Sequence, residues 1–508
     1  MQAAAIAGTF AFAFALRYPS LFEPRWYGDE GIFAAIASNV RHGATLYSGA
    51  WDNKPPLIYY TYAAVQSLFG TGVMPLHATA MAFVLLAQAA VIGIALLLFD
   101  GWRAALAGAI FAFLLCTPLI EGDLAMTETF MVLPVTLAVL LFVWSEVRAV
   151  RSPGLFVAAG FLLGIATGYK QVAVFDGAAI VVMLWLLHAR RDRAYAVRSI
   201  VAVAGGFAIP QVALTLLFLA TGAFGAYWYA VVGSLGLYAR LGPQVSFFAR
   251  LAAYIPALMV ITVLVYREQR GERVDMRSFP ALWLSFALIG VTSSAFGFPH
   301  YLQQGVAPLA LTAVSLPFAL PRDVTHRAAL GVASVLVFAV VFGQFSYTYH
   351  HRKQLHPVRY YEAFFSHKWG TMNNVDYADR FDGSALTVND VSAMLRRDGA
   401  GTTLFIWSEQ LPWVYADTGM RNPTPYYTSF LGDRIPGARD EIMRDLRADP
   451  PVYIVVSEHA YAPFDELQPF LASRYGLLHS QGDWRIYRLA SARGHLPLEQ
   501  PPTALKAR

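Results

Sequence analysis

Apolar stretches long enough to cross a lipid bilayer recur through the first two thirds of this 508-residue chain. Because the hydrocarbon core is about 30 Å thick, a spanning helix needs roughly 17–25 mostly apolar residues. Only 14% of the residues are charged, whereas a soluble domain usually carries about 25%. Too little polar surface remains to cover a water-soluble globule. The sequence therefore predicts a polytopic α-helical membrane protein.

Eleven spanning helices are expected. The first, Ala3–Leu16, is short and no positive charge precedes it, so it is interpreted as a span with a few residues missing rather than as a cleaved signal peptide. The polar stretch 17–76 follows and contains two candidate helices, Gly31–His42 and Pro56–Phe69. The other ten spans are expected at about 77–99, 104–120, 128–145, 154–169, 172–188, 198–220, 248–267, 279–297, 301–319 and 327–346.

The arginines of the connecting loops predict the orientation, because cytoplasmic loops collect Lys and Arg. One alternate set of short loops contains only Lys170 and Arg240. That set, together with the stretch 17–76 and the C-terminus, is predicted to face outward from a bacterial inner (plasma) membrane. The net charge of +5 thus reflects topology, and no nucleic-acid partner is expected. The opposite set carries Arg103, Arg148, Arg151, Arg190, Arg191, Arg193, Arg198, Arg267, Arg270, Arg273, Arg277, Arg322 and Arg327.

The composition changes near His350, where long apolar runs end and Asp, Arg, Pro and Gly become frequent. We therefore divide the chain into a transmembrane domain (1–349), a small outward-facing α/β domain (350–492) and a disordered tail (493–508). The single cysteine, Cys116, excludes an intramolecular disulfide. The elements predicted in the second domain are strands at Thr403–Trp407, Val452–Val456 and Trp484–Leu489 and a helix at Asp440–Arg447.

The first outward loop contains two charged motifs. Asp29 and Glu30 precede a helical run, and Asp52–Asn53–Lys54–Pro55–Pro56 follows about twenty residues later. Adjacent acids before a helix can simply cap it and meet the positive end of its dipole. That explanation is as good as a functional one for Glu30, and it is weaker for Asp29, which Trp26–Tyr27–Gly28 places at the membrane surface. Lys54 is open to an ordinary snorkelling interpretation.

Later loops on the same side carry further candidates. Glu128 opens a predicted span, and ionisable groups at membrane depth are functional candidates by default, although a helix dipole could satisfy this one. Lys170 lies between two apolar runs and needs an anionic partner, either a lipid headgroup or a bound phosphate. His300 and Tyr301 belong either to a site or to the aromatic belt.

Two acids of the second outward loop, Glu121 and Asp123, are expected to be solvated. Taken together, the other candidates place carboxylates and lysines on one face at headgroup depth. The cations suit a phosphate, and the carboxylates suit a general base that acts on a hydroxyl or an amine. A lipid-linked phosphosugar and an acceptor would meet both needs.

The order of these motifs resembles that of the GT-C glycosyltransferases. The resemblance rests on D-E-G-I at 29–32, D-N-K-P-P at 52–56, T-E-x-F-M at 127–131, G-x-K-Q at 168–171 and F-P-H-Y-x-x-Q at 298–304, and it covers roughly residues 17–350. The most similar groups are bacterial relatives of protein O-mannosyltransferases, lipid A aminoarabinose transferases and rhizobial galacturonosyltransferases. Where this chain has Glu128, the family often has Asp.

The resemblance implies an inverting enzyme that moves a sugar from a polyprenyl-phosphate donor to a protein, lipid A, glycan or lipid acceptor. It also implies roles for individual residues. No cofactor is expected, although Glu121-Gly122-Asp123 leaves a divalent metal conceivable. The implied roles are catalysis for Asp29 with support from Glu30 and Glu128, phosphate binding for Lys54 and Lys170, and a donor pocket formed by Asp52, Tyr59, His300 and Tyr301.

Two other functions remain open at this stage. A polyprenyl-linked sugar flippase or transporter would have inverted repeats and polar groups near the midplane, whereas here the polar groups sit at the ends of the spans. A non-catalytic envelope scaffold would leave Asp29 and Lys54 unexplained. The aromatic residues of the second domain are expected either to fill its core or to stack on an acceptor sugar: Trp407, Trp413, Tyr415, Tyr426 and Tyr427.

Overall fold

The computed structural model describes residues 1–241, 247–293, 296–319, 356–381, 384–458 and 460–498. The predicted span at 327–346 and residues 499–508 of the predicted tail lie outside these residues. Residues 493–498 of that tail are described, and the backbone N–H groups of His495 and Leu496 donate to Asp398. The other ten predicted spans each correspond to a helix. The helices of this part are α1 (Gln2–Arg17), α2 (Gly28–Arg41), α3 (Leu57–Phe69), α4 (Val73–Leu98), α5 (Gly101–Leu115), α6 (Thr127–Val147), α7 (Pro153–Tyr169), α8 (Val174–His188), α9 (Arg193–Ala220), α10 (Phe224–Trp228), α11 (Leu235–Leu241), α12 (Phe247–Ala252), α13 (Tyr254–Gln269), α14 (Phe279–Ser293) and α15 (Gln303–Ala319).

Six helical segments in the described part are long and apolar enough to cross a membrane: Gln2–Phe22, Val73–Leu98, Thr127–Val147, Gln171–His188, Arg193–Ala220 and Arg250–Gln269. Side-chain caps fix where some helices begin. Asp100 accepts from the backbone N–H of Trp102 and Arg103 at the start of α5, and Asp192 accepts from that of Tyr195 at the start of α9. Both caps satisfy N–H groups that have no partner inside the helix.

Small residues let the helices approach one another closely. A Cβ added to Gly160 of α7 would overlap the carbonyl of Val203 in α9, and one added to Gly206 of α9 would overlap that of Val157 in α7. The two backbones are therefore in direct contact, as is common between membrane helices that cannot use the hydrophobic effect to associate.

The arginine-rich loops gather at one end of the helical bundle. Arg151 lies 2.9 Å from Asp192, and Arg190 lies 3.4 Å from Glu268. Arg277 donates to the carbonyl of Leu98 over 3.2 Å. These contacts join four loops that the sequence assigns to the same side. The inner end of the bundle, as we call it below, is defined by these loops, and the outer end carries α2, α3 and the C-terminal domain.

The C-terminal domain is a four-stranded sheet with surrounding helices. The strand order is β1-β2-β4-β3, with β1 parallel to β2 and the other pairs antiparallel. The three predicted strands and the predicted helix are present, whereas β3 was not predicted. The elements are α16 (Pro357–Lys368), α17 (Asn374–Asp379), α18 (Ser384–Asp398), β1 (Leu404–Trp407), α19 (Trp413–Thr418), α20 (Ser429–Arg434), α21 (Ala438–Ala448), β2 (Tyr453–Ser457), α22 (Leu467–Arg474), β3 (Tyr475–Gln481) and β4 (Trp484–Leu489).

This domain packs directly on the first loop. The indole N–H of Trp413 donates to the carbonyl of Tyr27 over 3.0 Å, and the backbone N–H of Trp51 donates to the carbonyl of Pro425 over 2.7 Å. A Cβ on Gly31 would lie only 2.8 Å from Cδ1 of Trp413. The first loop and the C-terminal domain therefore lie at the same end of the molecule, as the sequence predicts.

Candidate active site

Asp29 lies in the first turn of α2 and has an available carboxylate. The N-cap residue of this helix is Tyr27, and no side chain caps the helix by hydrogen bonding. Asp29 is half-buried, and among the residues that the structure describes it has no hydrogen-bond or ion-pair partner. The positive end of the α2 dipole favours its negative charge. Asp29 therefore does not act as a side-chain cap, and its oxygens are open to a ligand.

Glu30, the neighbouring acid, is in the opposite situation. It is 2% exposed, and its Oε1 accepts from the backbone N–H of Ala125 over 2.6 Å. The same oxygen lies 2.9 Å from Nε2 of His77 in α4, and Nδ1 of His77 lies 2.8 Å from the carbonyl of Ser20. Glu30 thus connects α2 to α4 and to the second outward loop, and both oxygen contacts are made inside the protein. Its predicted catalytic support stays a prediction.

Hydrogen bonds hold the Asp52–Asn53–Lys54 turn and its lysine in place. Asp52 accepts from the hydroxyl of Tyr59 and from the backbone N–H of Asn53, both over 2.7 Å. Tyr59 is fully buried, so it supports the turn from below. The Lys54 ammonium donates to Oδ1 of Asn53 over 3.0 Å, and the hydroxyl of Tyr47 holds the Lys54 carbonyl over 2.8 Å.

The electrostatics of this turn keep Lys54 charged. Burial acts to lower the pKa of the Lys54 ammonium, yet the groups around it, Asp52 first and also Asp29 and Glu128, hold that pKa above its ordinary value. Burial raises the pKa of the Asp52 carboxyl against the opposing effect of Lys54. The ammonium therefore stays cationic within the field of three carboxylates contributed by different segments.

Glu128 and Lys170 form a buried ion pair. The Lys170 ammonium is hydrogen-bonded to Oε1 of Glu128, and it lies 3.6 Å from the centre of the Tyr301 ring in a cation–π contact. The hydroxyl of Thr127 donates to Oε2 of Glu128 over 2.5 Å. The sequence analysis expected a lipid headgroup or a bound phosphate as the anionic partner of Lys170, and the structure supplies Glu128 of the same chain.

His300 lies between two carboxylates. Its Nδ1 is 2.5 Å from Oε2 of Glu121, and its Nε2 is 3.9 Å from Oε1 of Glu128. The hydroxyl of Tyr27 also donates to Glu121, over 3.0 Å. Because Tyr27 immediately precedes the turn that carries Asp29, this contact connects the first loop to the F-P-H-Y turn. The expectation that Glu121 is solvated is wrong: the residue is fully buried.

Asp123 is the second acid that the sequence wrongly placed in solvent. It is 1% exposed, and neither carboxylate oxygen has a hydrogen-bond partner among the described residues. Burial raises the pKa of its carboxyl well above the ordinary value, and the neighbouring Glu23 adds to the shift. Both acids were misplaced because a loop between two spans was assumed to be open to water. In the structure Glu121 is enclosed by Tyr27 and His300, and Asp123 lies near Tyr360 and Tyr361 of α16.

Arg17 is a buried neighbour of the candidate site that the sequence analysis did not identify. It is fully buried, and its guanidinium donates to the carbonyls of Leu115 over 3.2 Å, Leu124 over 2.9 Å and Gly122. A planar fork of several donors suits such a multiple carbonyl clamp. Arg17 therefore fixes the loop that supplies Glu121. Its position directly after an apolar run was the available signal.

Two other sets of candidates do not extend the site. All five aromatic residues are at most 5% exposed: they pack inside the C-terminal domain or, as Trp413 and Tyr426 do, against the first loop. They are Trp407, Trp413, Tyr415, Tyr426 and Tyr427. Within the part of the chain that the structure describes, no group of three or more His, Cys, Asp or Glu side chains is arranged to hold a metal ion.

The helical bundle, its charged outer end and the appended sheet domain define a polytopic membrane protein with a candidate site at one end. No protein-family model and no curated protein matches the sequence. Among solved structures, ArnT from Cupriavidus metallidurans bound to undecaprenyl phosphate aligns over 96% of this chain and 98% of its own, with a TM-score of 0.61 and 14% identity. The apo state of ArnT aligns over 95% and 97%, with a TM-score of 0.53 and 13% identity.

The chain therefore has the GT-C fold, the fold that its sequence motifs indicate. Its structural neighbours are glycosyltransferases, and one of them was solved with a polyprenyl phosphate. The fold class expected from the sequence is confirmed.

Proposed function

We propose that this protein is a membrane glycosyltransferase that moves a sugar from a polyprenyl-phosphate donor to an acceptor at its outer end. The observation that carries the proposal is the contrast around Asp29. Four other carboxylates of these loops have fixed partners: Glu30 bonds Ala125 and His77, Asp52 bonds Tyr59, Glu121 bonds His300, and Glu128 bonds Lys170. Asp123 also has no hydrogen-bond partner among the described residues, but it is only 1% exposed. Asp29 has no such partner among the described residues, although it contributes to the field around Lys54.

A free carboxylate opposite a fixed ammonium fits a direct displacement. The Asp29 carboxylate accepts the proton of the acceptor hydroxyl or amine, and the acceptor atom forms a bond to the anomeric carbon of the sugar. The bond between that carbon and the phosphate oxygen breaks, and its electron pair leaves with the phosphate. One displacement inverts the anomeric configuration. A positioned general base of this kind typically contributes about 10²–10⁴-fold to the rate.

The leaving phosphate gains negative charge, which a cation must offset. Lys54 suits this role because its ammonium, although largely buried, remains charged and lies within the electrostatic range of Asp29. Lys170 adds a second positive charge, although it shares that charge with Glu128. Fixed charges aimed at the atom where charge develops are the usual source of transition-state stabilisation. We propose that these lysines suffice and that catalysis needs no divalent metal.

The orientation is part of the proposal. The arginine-rich inner end is assigned to the cytoplasm by the positive-inside rule. The outer end then faces the extracytoplasmic side of a bacterial inner membrane, where acceptors of the cell envelope are found.

The proposal can be tested with the full-length protein in liposomes that contain a radiolabelled polyprenyl-phosphate sugar and a panel of protein, glycan and lipid acceptors. We expect transfer with inverted anomeric configuration, release of polyprenyl phosphate and retention of activity in EDTA. Lys54→Ala should lower kcat/KM for the donor by at least tenfold, and Lys54→Arg should restore part of the loss because it restores the charge.

Two outcomes would contradict the proposal. Movement of intact donor lipid across the bilayer without transfer would identify a flippase. Unchanged donor use by Lys54→Ala would remove the phosphate role of Lys54. Loss of activity in EDTA, recovered with a divalent ion, would overturn only the metal-free part.

A further inference from the structure

A continuous row of aromatic rings runs from the first span to the C-terminal domain. Consecutive ring centres along it are 5.2–5.8 Å apart, which is the distance range of favourable aromatic pairs. The row begins on α1, passes through the short turn that follows it, and ends just beyond α16. Its members are Phe14, Tyr18, Phe22, Phe364, Phe365 and Trp369; we call them the aromatic row.

The first ring of the row faces lipid. Phe14 is 46% exposed and lies on α1, one of the segments long and apolar enough to span a membrane. An exposed apolar side chain on a spanning helix contacts the acyl chains. Tyr18, one turn later, is also exposed, and it lies where the helix gives way to the turn Tyr18–Phe22. This is the level at which Tyr and Trp concentrate in membrane proteins.

The last ring of the row is the most exposed large aromatic side chain in the described part of the C-terminal domain. Trp369 is 76% exposed, and Phe365, on which it stacks, is 44% exposed. Val358, also exposed, lies seven residues before Phe365 and therefore on the same face of α16. An apolar face of this size is unusual on a domain that meets only water.

Contacts with the end of α1 fix the position of α16 along the axis of that spanning helix. The hydroxyl of Tyr361 donates to the carbonyl of Leu16 over 2.8 Å, at the last turn of α1. The Lys368 ammonium lies 3.4 Å from the centre of the Phe22 ring. Lys368 is exposed despite this cation–π contact, and a flexible lysine at this depth can also reach lipid phosphates. Arg359 adds a second exposed cation to the helix.

We propose that α16 is an interfacial helix that rests on the outer leaflet of the membrane, with Phe365 and Trp369 in the headgroup layer and Lys368 against lipid phosphates. The partner is the lipid surface itself, because the exposed face continues the lipid-facing side of α1. The contact supports the C-terminal domain at the level where Tyr360 of α16 donates to Glu23 of the first loop over 2.6 Å. This inference is independent of the proposed chemistry.

The test uses the full-length protein in nanodiscs made of zwitterionic and anionic phospholipids. An environment-sensitive fluorophore is attached at Trp369→Cys and, separately, at Val358→Cys on the same face. Gln468→Cys on α22 is the control, because it is exposed and belongs to the helix before the outermost strand of the sheet. The native Cys116 is buried, so labelling is directed to the introduced thiol.

We expect lipids spin-labelled near the headgroup to quench most of the fluorescence at positions 369 and 358, and a water-soluble quencher to act mainly at position 468. Lys368→Glu should reduce quenching at position 358 in anionic nanodiscs more than in zwitterionic ones. Equal access of the water-soluble quencher to all three positions would overturn the inference. Protection at position 369 that requires an added protein rather than lipid would overturn it as well.

Discussion

The two ends of the bundle handle charge differently. At the inner end, Arg151 and Asp192 pair within reach of water, with side chains 61% and 34% exposed. At the outer end, Glu128 and Lys170 pair with 1% and 10% exposure. Exposed pairs contribute little to stability and set topology, whereas buried charges are expensive and need a reason to be retained. The comparison teaches that burial of a charged pair, rather than the number of charges, distinguishes the candidate site from the exposed arginine loops.

Removal of Lys170 is the largest expected perturbation of this contrast. Lys170→Ala leaves Glu128 buried without its cation, which typically costs about 3–5 kcal/mol. Unfolding in detergent, followed by intrinsic fluorescence, measures the loss.

The matched control is Arg151→Ala at the inner end, where an exposed pair contributes at most about 1 kcal/mol. The double variant Glu128→Gln/Lys170→Met should recover much of the stability that Lys170→Ala loses, because it removes both charges. Equal stability of the two single variants would refute the distinction between the two ends.

The junction between α2 and the C-terminal domain should show the next largest effect. In Gly31→Ala the new Cβ would lie 2.8 Å from Cδ1 of Trp413, so the domain must shift. Overpacking of this kind costs about 1–3 kcal/mol, of which the better helix propensity of Ala recovers up to about 1 kcal/mol. Thermal unfolding and protease sensitivity of the C-terminal domain report the change.

Gly28→Ala is the control for this substitution, since its Cβ would meet the nearest atom, the carbonyl oxygen of Glu409, at an ordinary 3.5 Å. If both alanine variants released the domain equally, or neither did, the close contact between Gly31 and Trp413 would not explain the docking.

A smaller effect, of opposite sign, is expected at Asp123. The pKa of the Asp123 carboxyl is raised in the folded protein, so the folded state binds the proton more tightly than the unfolded state does. The free energy of unfolding therefore falls as the pH rises above the pKa that the carboxyl has in the unfolded chain. Asp123→Asn should therefore raise stability at neutral pH by on the order of 1 kcal/mol. The gain should shrink as the pH falls toward the ordinary carboxyl value of 3.8.

Thermal unfolding between pH 4 and pH 8 checks this dependence, with Asp465→Asn on an exposed carboxylate as the control. A gain that is independent of pH would show that the charge of Asp123 is not what lowers stability.

The sequence predicted best what depends on local pattern. Ten spans and three strands follow from the lengths of apolar runs and from alternation, and helices form at these positions. The strand β3 was missed because a register shift between Leu477 and His479 interrupts its alternation. Asp29 and Lys54 were identified because their motifs stand close together in one loop.

The pairs that build the site could not be predicted in the same way. Glu128 and Lys170 are 42 positions apart, and Glu121 and His300 are 179 apart. Whether such side chains meet depends on how the helices pack, which no local pattern contains. Burial of Glu121 depends on Tyr27 and His300, and Asp123 lies near Tyr360 and Tyr361 of α16, so the loop between these two spans is enclosed by segments that are distant in the sequence.

The most direct test of the account is sugar transfer by Asp29→Asn. The substitution keeps the size and hydrogen-bonding capacity of the side chain, and because Asp29 makes no side-chain cap, it removes at most about 1 kcal/mol of interaction with the α2 dipole. An amide cannot accept the acceptor proton, so we predict a loss of about 10²–10⁴-fold in kcat with little change in melting temperature and unchanged donor binding. Near-normal transfer by this variant would contradict the assignment of Asp29 as the base and with it the proposed mechanism.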